Sequence, residues 1–149
     1  MSGRGGDVAG TADDLRTLLG ERHVVVCAGA GGVGKTTMAA ALAIEAAASG
    51  RRVVVLTIDP ARRLADTLGL AELPNVPHRI DGPWPGELHA TMLDPRATFD
   101  ALIARHASGP DQVERILGNR FYRNIANALS GTQEYMAAEK LHELHDSGR

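Results

Sequence analysis

The sequence predicts an α/β fold, a parallel sheet with helices on both faces, and three observations carry that expectation. Two β-branched runs, HVVVC at 23–27 and RRVVVLTID at 51–59, have the unbroken apolar character of strands buried on both sides. Between them lies TTMAAALAIEAAAS, whose alanine content gives it high helix propensity. Strand, helix and strand in this order make a βαβ unit, which joins parallel strands by a right-handed crossover. The third observation is the glycine stretch GAGGVGKTT at 29–37, placed where the first strand gives way to the helix.

The remaining elements follow from local signals. Residues 1–10 are glycine-rich and predict a disordered tail. Thr11-Ala12-Asp13-Asp14 resembles a capping box opening a short helix that carries Leu15, Leu18 and Leu19, and Gly20 is suited to close it in the left-handed conformation. The alanine-rich helix should end at Gly50. A short helix is expected after Asp59, through Leu68, with Gly69 as its stop. A proline-rich connection runs from Pro74 to Pro85. Trp84 within it is placed to pin that loop to the core, or to act as a lid or partner contact. ELHATML reads as a third strand. Asp94 can cap the next helix with Pro95 at its first position, where the missing N–H is not needed. Helices are then expected over 98–105, 110–117, 121–129 and 132–145, and no internal repeat is evident.

Composition narrows the function classes. A chain of 149 residues is normally one domain that buries roughly 68–70% of its unfolded surface. It is 44% hydrophobic but only 3% aromatic, so small and aliphatic side chains must build the core. A net charge of −2 argues against nucleic acid as a partner, because duplex binding needs a basic face. Cys27 is the sole cysteine and reads as a small buried apolar residue; no disulfide can form within one chain. The start, MSGRGGDVAG, lacks the apolar core of a signal peptide, and the apolar run 38–48 is interrupted by Glu45 and too short to span a bilayer. The expected location is the cytoplasm.

Gly29-x-x-x-x-Gly34-Lys35-Thr36 satisfies the phosphate-loop (Walker A) pattern, in the required setting of a strand before and a helix after. Gly29, Gly31, Gly32 and Gly34 free the main chain to turn successive N–H groups toward one anion, with Ala30 and Val33 between them. The helix that begins near Lys35 adds the positive end of its dipole. Lys35 can reach the β- and γ-phosphates, Thr36 can offer a hydroxyl to Mg²⁺, and Thr37 lies where it can meet the α-phosphate. The expected ligand is a nucleoside triphosphate with its magnesium ion.

The form GGVGKTT, with VVVLTIDPARRLADTLG after it, resembles the arsenite-pump and tail-anchored-protein-targeting ATPases, the ArsA/Get family. ELHATMLDPRATFD and FYRNIANALSGTQEYMAAEKLHEL are similar to a bacterial branch described as anion- or ion-transporting ATPases, so the likeness extends from residue 21 to the end. The resemblance implies a P-loop NTPase of the deviant Walker A class that hydrolyses ATP with Mg²⁺. It also implies a homo- or heterodimer switched by the nucleotide, with a membrane-protein or transporter client. It makes the DPA segment switch I and Asp59 the aspartate that positions the attacking water. An aspartate at the C-terminal end of a parallel strand also lies where open α/β sheets bind ligands, and it can cap a helix before Pro60.

Two departures from the family pattern stand out. Relatives usually read GKGGVGKT, with a lysine that reaches the partner subunit's nucleotide, and here that position is Ala30. Arg62 or Arg63 is a candidate replacement charge, or else a solvated arginine on a helix face. The family also continues into a strand ending in a DTAP- or DTPP-like segment that holds the Mg²⁺-liganding aspartate (Walker B) and switch II. No run after Thr132 could serve as it, so 11–149 is expected to be the N-terminal part of a longer ATPase domain. Two other functions stay open: a signal-recognition-type GTPase, which has a similar loop, and a nucleotide-binding scaffold that does not hydrolyse. Glu139, His142 and His145 recur every three residues and could be read as a metal site, though drift around the helix favours a solvated face.

Overall fold

A computed structural model describes residues 8–59, 63–122 and 133–147, with side chains from Asp13 onward. Its centre is helix α2, Lys35–Ala48, lying on a three-stranded sheet of β1 (Arg52–Thr57), β2 (His78–Ile80) and β3 (Glu87–Met92). The predicted helix is present and ends as expected. Gly50 takes φ 84° and donates to the Ala47 carbonyl, and Arg51 N donates to Ala46 O at 3.0 Å. Small side chains on one stripe, Ala40, Ala43 and Ala47, let the helix approach the sheet closely. There they meet Val55, Leu88, Ala90 and Ile80, with Leu64, Ala65 and Leu73 closing the core. Trp84 packs on its margin and so pins the proline-rich loop.

Strand order is β1-β3-β2. β1 and β3 are parallel, with Arg52 opposite Glu87 and Thr57 opposite Met92, whereas the βαβ reading joins 51–59 to 23–27. β2 is antiparallel to β3, so the sheet is mixed rather than parallel throughout. The sequence reading missed β2 because three residues inside a proline-rich segment carry no alternation to detect. Helices on both faces are also not found among the described residues. The α2 face carries Val53, Val55, Leu88 and Ala90, while the other face leaves Arg52 exposed and Val54, Leu56 and His89 half-exposed.

The largest correction concerns 23–27. This run forms no strand, and Val24, Val25 and Val26 are 49%, 44% and 74% exposed. Burial on both faces needs a neighbouring strand, and the ladder on β1 goes to β3 alone. With no described strand beside it, the run stays outside the sheet whatever its propensity. Cys27 is accordingly only half-buried.

Helix α1, Val8–Glu21, begins before Thr11 and continues through Gly20, which does not adopt the left-handed conformation. The Arg51 guanidinium takes over that task, donating to the carbonyls of Leu19 and, at 2.6 Å, Gly20. A cation on the last carbonyls satisfies the helix end without a glycine turn. Arg16 joins α1 to α2 through Glu45 at 2.9 Å.

Beyond β1, helix α3 spans Arg63–Thr67, and Gly69 at φ 71° stops it as expected, with Leu70 N donating to Ala65 O at 2.8 Å. Asp94 caps α4 (Pro95–His106) by accepting from Ala97 N at 3.0 Å, with Pro95 in the first turn. α5 (Pro110–Leu117) coincides with its expected span, and α6 (Gln133–Asp146) lies within a residue of it at each end. Both α5 and α6 contact α4. Of the helix expected over 121–129, Phe121 and Tyr122 are helical and the rest lies outside the described residues.

Candidate nucleotide-binding site

The glycine stretch forms an exposed loop that leads directly into α2. Two of its residues hold conformations that side chains disfavour: Gly32 at φ 77° and Gly34, the N-cap of α2, at φ 85° and ψ 19°. Gly31 is not among the positive-φ residues, and a Cβ at Gly29 would press on Val33 Cγ2 at 3.2 Å. No side chain caps α2, so its first-turn amides and its positive dipole end face the loop. Met38 N closes the first helical bond onto Gly34 O at 2.9 Å.

Lys35 is half-buried at the start of α2 and bends back over the loop, its Nζ donating to the Ala30 carbonyl at 2.7 Å. The only cation of the loop therefore rests on its own backbone, at the residue where a second lysine was expected and alanine stands. Thr36 is half-buried and Thr37 exposed on the same first turn. Donor amides, a positive helix end and an ammonium in one place suit an oxyanion of high charge density.

Asp59 stands just past the C-terminal end of β1. Its N–H donates to Thr57 Oγ1 at 3.1 Å, and its Oδ2 accepts from Arg63 Nη1 at 3.1 Å. It borders a cavity of about 70 Å³ together with Thr57, Leu64, Ala65, Glu72, Leu73 and Met92. That cavity is too small for a nucleotide, and none of residues 29–37 lines it. The carboxylate stands past the end of β1, and the loop stands at the start of α2. The Arg63 partnership was missed in the sequence, although the four-residue spacing of opposite charges was its signal. Pro60, Ala61 and Arg62 lie outside the described residues.

The C-terminal histidines do not converge. Glu139 accepts from Arg105 at 2.7 Å, and His142 pairs with Asp146 at 3.0 Å. His145 meets the edge of His23, with ring centroids 6.2 Å apart. Among the described residues no group of three acidic, histidine or cysteine side chains could hold a metal ion, and no helix is long and apolar enough to cross a membrane.

The model of the anion-transporting ATPase family matches residues 22–149, nearly the whole chain. The chain belongs to that family. Among individual relatives, it is 31% identical over 137 residues to the ATPase GET3 of Ajellomyces dermatitidis, covering 87% of this chain and 38% of the relative. The ATPase GET3 of Paracoccidioides lutzii is 32% identical over 143 residues, covering 90% and 41%. That of Podospora anserina is 31% identical over 134 residues, covering 87% and 38%. The chain spans about two fifths of the length of these curated relatives. Family membership makes the fold that of a P-loop NTPase, of which the described sheet is an incomplete part.

Proposed function

We propose that this chain is the nucleotide-binding segment of a cytoplasmic ATPase that binds Mg-ATP on residues 29–37, hydrolyses it, and switches a dimer serving an anion transporter or membrane-protein client. The observation that carries this reading is the loop itself. Gly32 and Gly34 are in the left-handed region, α2 has an uncapped positive end, and Lys35 folds across the loop.

A triphosphate tail entering the loop would meet the amides of residues 30–36 in place of water. Lys35 would exchange the Ala30 carbonyl for phosphate oxygens, an exchange of a neutral acceptor for a charged one that strengthens the bond. Thr36, on the first turn of α2, would hold Mg²⁺, which supplies charge neutralisation at the β- and γ-phosphates. Asp59 orients the attacking water. Ligand contacts ordering the segment after Asp59 would couple hydrolysis to a change of shape. ATP is preferred to GTP because the family and the relatives are named as ATPases.

The test is steady-state turnover by the full-length protein with Mg-ATP, with GTP as competitor. Turnover should fall at least about a hundredfold in Lys35→Ala, since the residue acts on charge that develops at transfer. GTP should compete poorly. Binding without turnover in the wild type would replace this reading by a nucleotide-binding scaffold.

A further inference from the structure

The structure assigns Arg63 a role as a positioning residue for Asp59. It rests on the reading above, in which Asp59 orients water, and adds a group that this reading does not contain. Arg63 opens α3 four residues after Asp59, and its Nη1 donates to Asp59 Oδ2 at 3.1 Å. The main chain of the arginine is also held, because Thr67 Oγ1 donates to the Arg63 backbone carbonyl at 2.7 Å within the same helix. Leu64 and Ala65, each 1% exposed, fix the start of that helix in the core, so the guanidinium projects from a rigid base.

Asp59 follows β1, and its N–H is tied back to that strand by Thr57 Oγ1 at 3.1 Å. A guanidinium that donates to a carboxylate from a packed helix narrows the orientations the carboxylate can take. The pair is partly exposed, with side-chain accessibilities of 65% for Arg63 and 29% for Asp59, so its contribution to folding is small. Its effect on orientation is a different quantity. Misplacing a reacting group by a fraction of an ångström costs rate without costing stability.

The experiment compares Arg63→Ala, Arg63→Lys and Asp59→Asn in the full-length protein, following ATP turnover, KM and thermal midpoint. Arg63→Ala should lower kcat about tenfold with KM for ATP within about twofold of wild type and an unchanged midpoint. Arg63→Lys, which keeps a cation near Asp59, should recover most of the loss, and Arg63→Ala should add little on top of Asp59→Asn. An unchanged kcat in Arg63→Ala would overturn the inference while leaving the ATPase reading intact. A parallel fall of kcat and thermal midpoint in both arginine variants would overturn it too, as the mark of a structural role. Undiminished turnover in Asp59→Asn would remove the role of Asp59 first, and that of Arg63 with it.

Discussion

At the scale of single residues, the loop lysine and a tyrosine far from it show how partners set chemical state. Lys35 has a neutral carbonyl as its resting acceptor, and a carbonyl is readily exchanged for a phosphate oxygen. Tyr122 is locked differently. It stacks on Phe99 with centroids 5.6 Å apart and donates its hydroxyl to Asp100 at 2.5 Å. Partial burial, then the hydrogen bond and the negative charge of Asp100, raise its pKa well above the ordinary phenol. A folded-state pKa above the unfolded one means that the stability it contributes is complete below about pH 10 and is lost as pH rises further. Alkaline unfolding followed by circular dichroism should therefore start near that pH in the wild type, and Tyr122→Phe should remove that part of the pH dependence. The phosphate loop was legible at this scale because every requirement is local: glycines, a lysine and a hydroxyl at fixed spacing. In the sequence Arg63 reads as a possible charge for the nucleotide or as a solvated arginine on a helix face. Its actual partner, Asp59, depends on where α3 starts after Pro60.

At the scale of elements, the signals that succeeded are those whose partners lie within a few residues. The Asp94 cap, the stop at Gly69 and the α5 span are set by contacts three to five residues away. The run at 23–27 failed because a strand is defined by its neighbours, and propensity cannot supply them. Gly20 failed for a related reason: its helix is ended by Arg51, 31 residues later. Gly86 shows an element-scale constraint that composition hides. It lies where α2, the turn after it and β3 meet, and its N–H donates to Ala47 O at 3.0 Å. A Cβ there would collide with the backbones of Arg51 and Ala47, neither of which can move without shifting α2. Gly86→Ala should destabilise the fold by about 2–3 kcal/mol, the usual cost of overpacking against rigid atoms. Chemical denaturation gives that number directly, and a change below about 0.5 kcal/mol would mean that the helix–sheet contact is looser than described.

At the scale of the whole molecule, the βαβ reading correctly gave α2 packed beside β1 but not the strand that β1 pairs with: 23–27 forms no strand, and the parallel partner of β1 is β3. That reading also did not give the antiparallel β2, or the sheet face that no helix covers among the described residues, since both depend on which strands and helices find each other rather than on any one segment. What survives every correction is the junction of glycine loop and helix, and family membership over residues 22–149 agrees with it. The central claim is that this junction grips the tail of a triphosphate. Isothermal titration of Mg-ATP into the full-length protein, with Lys35→Ala and Gly34→Val alongside, tests it most directly. Saturable binding by the wild type, weakened by about 100-fold or more in both variants, is the predicted result, a difference of about 2.7 kcal/mol. Equal uptake by all three proteins, or none by the wild type, would contradict it.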